Sequence, residues 1–81
     1  MDVTQKVGET ITVPAGMQAT AFATCDPGLK AVSGGFQSAS PSGAGPYPTT
    51  FEIGPNNDWF VTFYNPTAVD AQAFAIVCCS P

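Results

Sequence analysis

The residues with the most specific chemistry in this 81-residue chain are its three cysteines, Cys25, Cys78 and Cys79. The chain has no histidine, so no imidazole can activate a thiol or a serine, and a Cys₂His₂ zinc site is excluded. Adjacent cysteines rarely bridge each other, because the ring strains the peptide geometry. The expected bridge therefore joins Cys25 to Cys78 or Cys79. Alternation along the C-terminal segment puts Phe74, Ile76 and Cys78 on one face and favours Cys78. Cys79 is then free, an alternative partner, or a link to another chain. A bridge across about 53 residues contributes about 4 kcal/mol in the chain-entropy model. The other reading is three buried thiols with no bridge.

The oxygen-bearing residues offer less. Asp2, Glu9, Asp26, Glu52, Asp58 and Asp70 are scattered. A glycosidase needs two carboxylates about 5–10 Å apart across a cleft. Glu52 and Asp58 flank one turn, and a solvated turn with acidic flanks explains them more simply. Asn56, Asn57 and Asp58 would suit a hard cation, but they are also common turn formers. Ser38, Ser40 and Ser42 have neither a partner base nor a Gly-x-Ser-x-Gly elbow. No catalytic residue, metal or cofactor is expected. The aromatic residues point instead to contact. Tyr47 stands between Pro46 and Pro48 in a stretch rich in proline, glycine and serine, so Ser42, Pro46, Tyr47 and Pro48 form a candidate interaction loop. Trp59 and Tyr64, with Asn56 and Asp58, form a candidate sugar-stacking platform, although Trp59 in a strong strand also suits the core.

The elements that must position these groups have a period of 2, not 3.6. Residues 3–7 alternate weakly, and Ile11 and Val13 follow, flanked by threonines. Residues 18–25 carry a small-residue face of Ala19, Ala21, Ala23 and Cys25, which lets another layer approach closely. Asp26-Pro27-Gly28-Leu29 is a turn signal. Residues 30–36 read as a strand interrupted by Gly34-Gly35, a sign of a bulge or a close backbone approach. Residues 37–50 read as one long irregular loop. Residues 50–53, 58–64 and 71–78 read as strands, and the segment 58–64 has aromatics on both faces. The expectation is a single all-β domain over 1–81: a small antiparallel β-sandwich or barrel of six to seven short strands with one long Pro/Gly-rich loop.

Composition narrows the partners. Two lysines and no arginine cannot neutralise a row of phosphates, so nucleic acid is not expected. No run approaches the roughly 18 apolar residues of a membrane span, and the N-terminus lacks the basic start and apolar stretch of a signal peptide. Charged residues are only 10% of the chain, against about 25% in an average soluble domain, while hydrophobic residues are 44%. So little charge cannot cover an ordinary monomer surface, which implies burial against neighbouring copies.

The order of landmarks adds a resemblance. Cys25-Asp26-Pro27-Gly28 leads to Gly34-Gly35-Phe36, then to Asp58-Trp59, Asn65 and Ala75-Ile76-Val77-Cys78. This resembles small two-cysteine β domains of secreted actinobacterial and phage proteins, which carry Cys-Pro-x-Gly, a glycine run, Gly-Trp, Asn and Ala-x-Cys, sometimes at the tips of collagen-like or fibre stalks. It covers about three quarters of the chain, residues 13–78. The chain departs from the pattern: Asp26 is inserted, two glycines stand where three are usual, Asp58 replaces the glycine before Trp59, and Cys79 is extra. The resemblance implies a non-enzymatic role in assembly or surface attachment. The expected function is therefore a virion decoration, tail-fibre or surface-filament component, located on a virion or at the cell surface. Its partners are copies of itself and a larger protein assembly. The alternative is a monomeric carbohydrate-binding or host-attachment module that recognises a cell-surface glycan.

Overall fold

A computed structural model describes residues 3–39, 45–55 and 57–81. Among these, every regular element is a strand: β1 (Thr4–Val7), β2 (Ile11–Val13), β3 (Gln18–Thr24), β4 (Lys30–Ala39), β5 (Tyr47–Ile53), β6 (Asp58–Tyr64) and β7 (Ala71–Ser80). All pairings are antiparallel and form two sheets. In the first, β7 is central. β4 runs along one side of it, and β1 and β2 share the other, opposite Ile76–Cys79 and Ala71–Ala73 respectively. In the second, β6 is central between β3 and β5. The expected all-β sandwich is therefore present, with seven strands.

The layers pack through small side chains. β3 contributes Ala21 and Ala23, β7 contributes Ala73, Ala75, Val77 and Cys79, and Val13, Val61 and Phe63 fill the space between them. Alanine has low strand propensity. Its place in two facing strands is explained by layer spacing, because a face without bulk lets the sheets close without voids.

This packing decides the disulfide. The core-facing set of β7 is Ala71, Ala73, Ala75, Val77 and Cys79, all buried, while Phe74, Ile76 and Cys78 face outward and are half-buried. The bridge is accordingly Cys25–Cys79, with Cα atoms 5.8 Å apart, and Cys78 is free. The expected Cys25–Cys78 pairing is thereby corrected. The face carrying Phe74, Ile76 and Cys78 points outward, and the small face opposite the alanines of β3 is the one that fits the core. The disulfide fits an oxidising environment. No helix among the described residues is long and apolar enough to cross a membrane.

The expected loop 37–50 is shorter than its composition implied. β4 continues to Ala39 because β7 offers it a ten-residue partner, and β5 begins at Tyr47. Proline is tolerated on an edge strand, where a missing N–H need not break a ladder, and Pro48 lies opposite Phe63 in β5. The Asp26–Leu29 turn forms as its residues imply, with Leu29 N–H donating to Asp26 O at 3.1 Å.

Asn65 anchors the turn between β6 and β7. It is fully buried. Its Nδ2 donates to Val13 O at 2.9 Å and Val69 O at 2.8 Å, and its Oδ1 accepts from Thr67 N at 3.0 Å and Thr67 Oγ1 at 2.7 Å. One side chain thus satisfies backbone groups from two strand ends that would otherwise lose water unpaired.

Candidate functional site

Three surfaces emerge from the register. The first is the outer face of the β3–β6–β5 sheet. Phe22 lies opposite Phe60, Thr20 opposite Thr62, and Thr62 also opposite Thr50. Tyr47 lies opposite Tyr64. Side chains of like kind therefore meet across the strands. The Phe22–Phe60 centroids are 6.0 Å apart, the Tyr47–Tyr64 rings meet edge-on at 5.7 Å, and the Thr20 and Thr62 hydroxyls are 3.0 Å apart. Phe22 is 55% exposed and Tyr47 47%. The exposed carboxylate of Glu52 lies on this face, on β5 opposite Phe60.

The second surface is the open flank between β4 and β5. The register shift between Pro48 and Thr50 turns Phe51 and Ile53 inward, opposite Val61 and Trp59. There they meet Phe36, Trp59 and Phe63. Phe36 lies 5.7 Å from Phe51 and 5.6 Å from Phe63, and Phe51 lies 5.9 Å from Trp59. This cluster belongs to the inner layer, yet Phe51 and Ile53 remain 47% and 49% exposed and Phe36 37%. The opposite flank is tighter, with the backbone of Gly8 lying directly against the carbonyl of Phe22. The sandwich is therefore closed on its alanine side and open on its aromatic side.

The third surface is the outer face of the first sheet, with Val7, Phe74, Ile76 and Cys78 beside Gln5, Thr12, Ser33 and Gln37. A shallow depression there is lined by Thr10, Gln37, Ser38, Gln72, Ala73 and Phe74.

The expected sugar platform is not assembled. Trp59 and Tyr64 are five residues apart on one strand and so point to opposite faces. The Trp59 ring packs on Gly34, where a Cβ would overlap it, and Nε1 donates to Gly35 O at 3.2 Å. Asp58 is half-buried against Gly54, and its Oδ1 has no hydrogen-bond partner among the described residues. Asn56 lies outside the described residues. Of the expected interaction loop, Ser42 is likewise outside them. Pro46 is buried and its carbonyl accepts from Ser38 Oγ, Pro48 is half-buried in β5, and only Tyr47 is exposed. Sequence reasoning missed Phe22, Phe36, Phe51 and Ile53 as surface residues. The signal for Phe22 was its alternation with Ala21 and Ala23. No comparable signal marked Phe36, Phe51 or Ile53, since their exposure comes from the open flank. Compared with known protein families, curated proteins and solved structures, the chain shows no match.

Proposed function

We propose that this chain is a non-enzymatic assembly module that associates with copies of itself and with a larger protein assembly, as a virion decoration, tail-fibre or surface-filament component. The observation that carries the reading is the combination of low charge with large apolar side chains left in water. Phe22, Phe36, Phe51, Ile53, Val7 and Tyr47 are all exposed. Isolated exposed apolar residues such as Val7 are ordinary, but Phe36, Phe51 and Ile53 share the open flank, and apolar residues grouped in this way mark an interaction surface. The disulfide suits a component that works outside a reducing cytosol. Native mass spectrometry across a concentration series tests the reading, with discrete oligomers as the expected result.

A second reading is favoured by one observation. Tyr47 and Tyr64 meet edge-on on an outer face beside a row of threonine hydroxyls. Such a face suits a neutral glycan in a host-attachment module. Titration with oligosaccharides, followed by NMR at Tyr47, Tyr64 and Thr62, would then shift those resonances selectively.

A further inference from the structure

We propose that two copies of this chain join through the free edge of β4, pairing antiparallel about Phe36 so that their first sheets become one continuous sheet. This rests on the assembly reading above and names the surface and partner that reading leaves open.

Each sheet has two edges, and three of the four are shielded. The β1–β2 edge carries Lys6 and Glu9, is interrupted between its two strands, and lies against β3 at Gly8 and Phe22. That contact shields β3 as well. β5 contains Pro48, a register shift and Glu52. Prolines, bulges and charges are the usual devices that stop a strand edge from pairing with another chain. β4 has a register shift near Val32, but from Ser33 to its end it has no charge and no proline.

The backbone groups at that edge follow from the ladder. Gly8 N–H donates to Ala75 O at 2.9 Å, so Ala75 directs its polar groups toward the β1–β2 side. In an antiparallel sheet successive residues alternate sides, so Phe74 and Ile76 serve β4 through Gln37 and Gly35. Gly34, Phe36 and Ser38 therefore turn their N–H and C=O groups away from β7, toward the side on which no described strand pairs with β4. These three positions are symmetric about Phe36. Another extended strand can take the place of water along such a row, and β4 itself is complementary to it. On a two-fold axis Phe36 would face Phe36 of the second copy, and Gly34 would face Ser38 of the second copy.

The side chains agree with that occupant. The half-exposed Phe36 ring would gain a cross-strand aromatic neighbour, and the open flanks with Phe51 and Ile53 would be brought side by side. The chain carries a net charge of −4, yet the contacting stretch of β4 is uncharged, so no like charges meet there.

Amide exchange read by NMR on the wild-type protein tests this, from about 10 μM to about 1 mM. The expected result is that exchange at Gly34, Phe36 and Ser38 slows by about tenfold or more as the protein associates, while Gly35 and Gln37 change little. Phe36→Lys should weaken association by about tenfold or more, and Phe22→Lys on the other sheet should not. Should Phe36→Lys fail to fold, the exchange data on wild type decide alone. Association without slowing at those three amides overturns the β4 pairing and leaves the assembly reading on another surface. A monomer throughout overturns both.

Discussion

Replacing Cys79 with alanine opens the only bridge between the two sheets seen among the described residues, and the loss can be worked out in advance. Cys25 and Cys79 are separated by 54 positions. Releasing a loop of that length from the unfolded chain gives it about 4 kcal/mol of additional entropy at room temperature. A domain this small has a total stability of roughly 5–15 kcal/mol, so the loss is a large fraction of the whole. At about 4–8 °C per kcal/mol, the melting temperature falls by roughly 15–30 °C. Cys25→Ala combined with Cys79→Ala should be close to the single variant, because both remove the same bond. Cys78→Ala should lose under about 1 kcal/mol, since its half-buried thiol faces outward. Cys78 cannot substitute for Cys79 by a one-residue slip of β7, which would turn the whole Ala71–Cys79 core face to water. Thermal and urea unfolding by circular dichroism, with peptide mapping of the non-reduced protein, supplies the assay. Equal losses for Cys78→Ala and Cys79→Ala, or a loss below about 1 kcal/mol for Cys79→Ala, would refute the reasoning.

Gly34→Ala forces a methyl group into the Trp59 ring and should destabilise by about 1–3 kcal/mol, with a shift in tryptophan fluorescence. Asn65→Ala leaves Val13 O and Val69 O without their donor, which urea unfolding should register as a loss of about 2–4 kcal/mol. Lys6→Met breaks the ion pair with Asp26, but both side chains are about half exposed, so chemical denaturation should change by less than about 1 kcal/mol.

The strands themselves were legible because turn chemistry and alternation agreed. Asp26-Pro27-Gly28-Leu29 and Asn65-Pro66-Thr67 separate runs with a clear period of 2. What alternation could not decide was which face of residues 71–80 is inward, because both faces are apolar. The alternation groups Phe74, Ile76 and Cys78 on one face but does not say that this face is the inner one. The deciding term was the complementary smallness of β3, a property of two segments taken together. β5 was read too short, since Pro46 and Pro48 argue against a strand in general but not against an edge strand. The candidate platform failed for a simpler reason. Trp59 and Tyr64 are an odd number of positions apart, and a strand places such residues on opposite faces. The exposed flank of Phe36, Phe51 and Ile53 depends on the register shift in β5 and the spacing of two sheets, neither of which is written in any local motif.

The most direct measurement of the assembly reading is sedimentation equilibrium of the disulfide-intact protein, from about 10 μM to about 1 mM. The account predicts a mass that rises to a discrete multiple of 8.3 kDa. A mass that stays at that of one chain throughout the series would contradict it.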